Sequence, residues 1–92
     1  MNLDILTPEA QVFHGEVTAV TLPGIDGEFQ VLNGHAAIIS ALKPGIVKIY
    51  VADRSTVSTE QLNETGDGNV FSYNINGGVV EMLGDKIVLL AD

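Results

Sequence analysis

The chain has no cysteine and no tryptophan, and four lysines and arginines stand against twelve aspartates and glutamates. Each scarcity removes a class of function. Without cysteine there is no disulfide framework, no thiolate nucleophile and no thiolate metal ligand. A formal charge of −8 over 92 residues leaves too few bases for the clusters that nucleic acid and anionic lipid headgroups require. Nucleic acid is therefore excluded as a partner. Apolar runs are short as well. The longest, Ala36–Ile39 and Ile87–Ala91, fall far below the roughly 18 residues of a membrane span, so direct membrane insertion is not expected. The N-terminus, MNLDILTPEA, carries neither the basic region nor the apolar stretch of a secretory signal. These features predict a soluble protein of a reducing compartment that reaches a membrane only through a partner.

Apolar residues make up 46% of the chain, ordinary for one globular domain. Aromatics are few, so valine, isoleucine and leucine must fill the core, with Phe13, Phe29 and Phe71 among them. The pattern is short β-branched or alternating segments separated by turn signals. Asn2–Thr7 alternates, with Leu3, Ile5 and Thr7 on one side, and Pro8 ends it. Val12 and Phe13 open a second segment, in which Gly15 permits a bend or bulge. Glu16–Leu22 reads as a strand closed by Pro23-Gly24, and Glu28–Leu32 as the next, closed by Asn33-Gly34. His35–Leu42 fits a buried helical turn or a buried strand, and its brevity favours the strand. Gly45–Ala52 puts Val47, Ile49 and Val51 on one face. Asp53–Asn69 is polar and reads as an irregular loop or loose strand end. Val70–Ile75, a turn at Asn76-Gly77-Gly78, then a hairpin of Val79–Leu83 and Lys86–Leu90 complete the chain. No long helix fits anywhere. The spacing predicts a single antiparallel all-β domain, sandwich or barrel.

The stretch from Gly24 to Gly45 holds the densest set of turn signals, at Asp26-Gly27, Asn33-Gly34 and Pro44-Gly45. It is a site for chemistry or a surface for a partner. Catalysis would need Ser40, His35 and Glu28 or Asp26 as nucleophile, base and orienter. There is no Gly-x-Ser-x-Gly elbow, however, and the serine lies in an apolar run. His14 and His35 lack metal-ligand spacing. Asp67-Gly-Asn69 is too short for a calcium loop and reads as a turn. Gly24-x-x-Gly27 lacks the third glycine and the following helix of a dinucleotide site. His35 is most simply an imidazole that holds loop carbonyls, and Glu28 a solvated carboxylate beside a turn. The residues alone therefore predict a small acidic binding or assembly module, with no catalytic residue, no metal and no cofactor. A ligand-binding barrel and a minimal hydrolase around His35 are the competing readings.

The same stretch, Gly24-x-x-Gly27-Glu-Phe-x-Val-Leu followed by His35-Ala-x-Ile-Ile-Ser-Ala-Leu-Lys-Pro-Gly45, resembles the epsilon subunit of F-type ATP synthases, called delta in mitochondria. The opening Leu3-Asp-Ile-Leu-Thr-Pro-Glu with Val12-Phe-x-Gly15 is similar to that family's start. Gly77-Gly-Val-Val-Glu81 with Lys86-Ile-Val-Leu-Leu-Ala-Asp92 is similar to the end of its β domain. Gln30 and Ala37 depart from the common residues, glycine and proline. The resemblance implies a flattened antiparallel β-sandwich of about ten short strands over residues 1–92. It implies a non-enzymatic rotor subunit in the central stalk that couples proton or sodium translocation to ATP synthesis. Its partners would be the gamma subunit, the polar loops of the membrane ring and the whole synthase, at the cytoplasmic face of the inner cell membrane. Asp26, Gly27 and Glu28 match the loop that meets the ring, whose basic loops an acidic rim suits. Thr7, His35, Ala36 and Ser40 match the gamma-facing side. Many relatives continue past Ala-Asp into a C-terminal helical hairpin that restrains ATP hydrolysis. The chain stops at Asp92, so no helical domain and no hairpin-type inhibition are expected.

Overall fold

A computed structural model describes all 92 residues. Its strands are β1 (Asn2–Leu6), β2 (Gln11–Glu16), β3 (Ala19–Gly24), β4 (Gly27–Leu32), β5 (Ile38–Tyr50), β6 (Asn63–Glu64), β7 (Val70–Leu83) and β8 (Lys86–Ala91). The only helical piece is a 3₁₀ turn at Arg54–Thr56. The fold is all-β, as the turn spacing predicts. Hydrogen-bonded neighbours run β2-β1-β8-β7-β5-β3-β4, with β6 added to β7.

There are fewer strands than expected because several turn signals lie inside strands. Pro44-Gly45 does not end β5: Pro44 pairs with Asn76 and Gly45 with Ile75. Asn76-Gly77-Gly78 likewise lies within β7. The two signals fall opposite each other and mark one shared bend. On β5 the buried side chains are Leu42 before the bend and Val47 and Ile49 after it. The inward parity thus changes from even to odd numbers. On β7 it changes from Phe71 and Ile75 to Val80 and Met82. A strand whose inward face slips by one residue turns a corner. The long strands therefore carry one sheet around into two packed layers. Their inner faces form a core of 21 buried residues that includes Leu3, Ile5, Leu22, Val31, Phe71, Ile87 and Leu89.

Proline and glycine at the corner have specific tasks. A side chain on Gly45 would meet Pro23 Cβ at 2.8 Å, so the proline of β3 packs directly on bare backbone. Pro23-Gly24 continues β3, and the chain reverses at Ile25-Asp26 with Gly27 at φ +130°. The β7–β8 hairpin closes as predicted through Gly84-Asp85, with Gly84 at φ +64°. Gly15 is not the bulge. The irregularity in the β1–β2 ladder lies between Ile5 and Leu6, and Gly15 is needed because a Cβ there would meet Val57 Cγ1 at 2.8 Å. One pair departs from antiparallel order: β1 runs parallel to β8. These strands come from opposite ends of the chain, so no tight turn dictates their direction.

The polar segment after β5 is tied down by its own side chains. Asp53 Oδ1 accepts from Ser55 N at 2.9 Å and from Ser55 Oγ at 2.7 Å. Those two donors hold the Asp53 carboxyl below its ordinary range. Arg54 bonds Glu64 at 2.7 Å and lies 5.2 Å above the Phe71 ring. Asp67 forms the predicted turn, accepting from Asn69 N at 2.9 Å. A depressed carboxyl favours the ordered turn above the unfolded carboxylate pKa and withdraws that support as pH falls through the lower folded value. Protection of the Ser55 amide, its exchange relative to the unstructured chain at the same pH, should therefore persist at neutral pH and fall only below about pH 4. In Asp53→Asn, which still caps, that protection should lose its acid dependence. Acid-insensitive protection in the unaltered chain would show that the cap does not hold the turn.

Candidate functional site

Inward alternation leaves an outward face on each layer, and one of them is apolar. The ladders place Ala41 opposite Val79, Val79 opposite Leu90, and Leu90 opposite Leu6. These four residues form one lateral row across β5, β7, β8 and β1. The next row runs Ile39, Glu81, Val88 and Asp4, with His14 on β2 beyond. Ile39 is 71% exposed, Leu83 71%, Leu90 52% and Val79 43%. Single exposed apolar side chains are common on soluble proteins, whereas these stand side by side on rigid strands.

Polar groups edge this face. Asp4 is buried, and its carboxylate accepts from His14 Nδ1 at 2.5 Å and lies 3.7 Å from Lys86 Nζ. The N-terminal ammonium bonds Glu16 at 2.8 Å. Three of the four ion pairs therefore collect at the β1–β2 side, and at the β5–β7–β8 centre Glu81 is exposed beside the apolar row.

The residues singled out from the sequence fall into separate places. Thr7 lies at the end of β1, beside Leu6, Leu90 and Asp92 around a cavity of about 330 Å³. Ser40 lies at the other end of the Leu6–Ala41 row, in a second cavity of about 330 Å³ that also takes in Asp26 and Gly27. Glu28 is on the far side of Phe29, in a polar cavity with Thr21, Gln30, Lys48 and Tyr50. His35 and Ala36 are exposed in the loop between β4 and β5. The two predicted contact sets thus meet at one point, Asp26–Gly27 with Ser40. His35 and Glu28 stand apart from it.

These positions do not support acyl-transfer chemistry. His35 Nδ1 donates to Ala36 O at 2.7 Å and its amide to Leu32 O at 3.1 Å, so the imidazole holds its own loop. Ser40 Oγ donates to Ala41 O at 3.4 Å. Nucleophile and base bond backbone and do not bond each other. A ligand-binding barrel fares no better, because the space between the layers is filled by the 21-residue core. No helix is long and apolar enough to cross a membrane.

The apolar row itself escaped the sequence reading. Val79, Leu83 and Leu90 belong to an alternating hairpin whose partners at even and odd positions are both apolar. Only the register tells which set is inside. Ile39 belongs to the segment read as buried, and the parity change at Pro44-Gly45 puts it outside.

Fold, charge and apolar face together define a small acidic all-β domain with an uncovered apolar row. The family described as the ATP synthase delta/epsilon chain, β-sandwich domain, matches residues 1–92. The chain is 40% identical over 91 residues to the ATP synthase epsilon chain of Chlorobium limicola, covering 99% of this chain and 88% of that one. It is 53% identical over 53 residues to the epsilon chain of Campylobacter jejuni, covering 58% of this chain and 41% of that one. Two solved structures share the fold. One is from the central stalk and c-ring of Tetrahymena thermophila mitochondrial ATP synthase, with TM-score 0.73 and 15% identity over 99% of this chain. The other is from Euglena gracilis mitochondrial ATP synthase, with TM-score 0.73 and 23% identity over 97%. The chain spans 62% and 48% of those two chains. The protein belongs to the delta/epsilon family of ATP synthase chains. It is thus a non-catalytic subunit of that membrane-associated complex.

Proposed function

We propose that this subunit sits in the rotor at the cytoplasmic face of the membrane, joining the gamma subunit to the polar loops of the membrane ring, and so couples ion translocation to ATP synthesis. The observation that carries the reading is the uncovered apolar row Leu6–Leu90–Val79–Ala41. An acidic domain has no reason of its own to hold such a row in water. Burying it against gamma supplies the hydrophobic centre of a stable contact. Thr7 follows Leu6 at one end, Ser40 precedes Ala41 at the other but alternates to the inner face opposite Val80, and His35 and Ala36 lie just beyond the Ile38–Met82 pair. On this reading the β3–β4 turn with Asp26, Gly27 and Glu28 faces the ring, presenting carboxylates to basic loops.

Affinity capture with the tagged chain from detergent-solubilised membranes of its own source tests this directly. Gamma, the catalytic subunits and the ring subunit should be retained together. Recovery of none of them, from membranes shown to hold intact synthase, would sink the reading.

Glu28→Lys separates the ring contact from folding. The side chain is exposed on β4, so stability should change by less than about 0.5 kcal/mol. The yield of proton pumping per ATP hydrolysed should fall in reconstituted vesicles. Unchanged pumping would place the ring contact elsewhere.

A further inference from the structure

Two asparagines precede glycine, Asn33 and Asn76, while the others precede Leu3, Glu64, Val70 and Ile75. A side chain on the following residue shields its amide nitrogen, so only the two Asn-Gly pairs leave that nitrogen open to the asparagine's own carboxamide. Their surroundings differ. Asn33 and Gly34 are exposed between β4 and β5, Gly34 has φ +84°, and a Cβ there would meet nothing within 4 Å. The Gly34 amide has no backbone acceptor, and one bond, from His35 N to Leu32 O at 3.1 Å, closes the turn. Asn76-Gly77 lies inside β7. Asn76 pairs with Pro44 on β5, Gly77 is buried, and Gly77 O accepts from Asp92 N at 3.1 Å. A Cβ on Gly77 would meet Asp92 Oδ2 at 3.1 Å and Leu42 O at 3.4 Å.

We propose that Asn33 is a site of spontaneous deamidation in the folded protein, and that the sheet protects Asn76. The Gly34 nitrogen attacks Asn33 Cγ. The new N–C bond forms, the Cγ–Nδ2 bond breaks, and the side-chain amide leaves as ammonia with the proton from the Gly34 nitrogen. The product is a cyclic succinimide. Water then opens the ring, at Cγ to give aspartate or at the main-chain carbonyl to give isoaspartate. Closing the ring requires the Asn33–Gly34 peptide to rotate toward the side chain. At Asn33 only the turn must open, a local event of low cost. At Asn76 the same rotation must break the β5–β7 pairing and the Asp92 contact, which open only with the sheet itself. Either product adds a carboxylate to a chain already at −8. Isoaspartate also inserts a main-chain carbon between Leu32 and His35. The bond that closes the turn then no longer fits, and the loop carrying His35 and Ala36 changes shape.

The test is to incubate the 92-residue chain at mildly alkaline pH, folded and in urea, and to follow both sites by tandem mass spectrometry of its peptides. Enzymatic methylation of isoaspartyl groups identifies the product. In the folded chain Asn33 should convert on the order of tenfold faster than Asn76 or more, as local against global opening implies. In urea the two should convert at similar rates. Folded Asn33 converting no faster than Asn76 overturns the proposal. So does a folded chain left intact while the unfolded one reacts. Asn33→Gln, whose longer side chain closes a ring far more slowly, should release almost no ammonia while folded. Ammonia release at the unaltered rate in that variant would put the reaction elsewhere and overturn Asn33 as the site.

Discussion

Gly78→Ala should abolish stable folding. A Cβ at Gly78 would stand 2.2 Å from Leu90 O and 3.1 Å from Ala91 Cα. Both are backbone atoms of the neighbouring strand, so no rotamer change relieves the clash. The residue also sits at φ +151°, where an L side chain is strained. Relief requires β7 and β8 to part, and β8 carries Ile87 and Leu89, both fully buried in the core. A loss above about 4 kcal/mol is exceptional for one substitution and belongs to mechanisms of this kind. For a domain of this size it lowers the melting temperature by about 20 °C or more. Gly34→Ala is the matched comparison. Gly34 has φ +84° but nothing within 4 Å of the added atom, so only the backbone strain of about 1 kcal/mol applies. Thermal unfolding followed by circular dichroism separates the two. A Gly78→Ala protein that melts within a few degrees of the unaltered chain would mean that the strands are not closely apposed at this point.

That glycine also shows where sequence reading reached its limit. Asn76-Gly77-Gly78 and Pro44-Gly45 are strong local turn signals and read as turns that end strands, yet both lie inside continuous, paired strands. Whether a chain reverses there or bends while staying paired depends on the strand opposite. The two signals face each other, so both strands bend together and the pairing persists. The same non-local pairing hid the parallel β1–β8 contact. Segments with fixed local chemistry were legible: the Gly84-Asp85 hairpin, the Asp67 turn, and the alternation that buries Leu3 with Ile5 and Val47 with Ile49. At the candidate site, the turn chemistry of Asp26-Gly27 could be read directly. The joining of Asp26 and Ser40 around one cavity could not, because it depends on Ile25 bonding to Ala41. Resemblance to the family supplied the biological role that spacing and composition left open between chemistry and assembly.

Leu90→Asp should leave folding nearly intact and remove binding to gamma. Leu90 points outward on β8 and is about half exposed, 52%. In the free chain its replacement keeps the inward face of β8 unchanged, and outward positions tolerate such changes within about 1 kcal/mol. In the assembly the same position lies in the middle of the row, between Val79 and Leu6. An aspartate there is taken out of water with apolar neighbours on both sides. Central positions of an interface lose about 2–4 kcal/mol when altered, so affinity for purified gamma should fall by about 30- to 1,000-fold. The adjacent residue provides the contrast. Leu89 is fully buried, and Leu89→Asp should unfold the chain and lose binding for that reason alone. Melting curves and gamma affinities measured for both variants distinguish an interface from a core defect. If Leu90→Asp keeps both its fold and its affinity, gamma does not dock on the Leu6–Ala41 row, and the other layer, where Ile46 is exposed on β5, becomes the face to test.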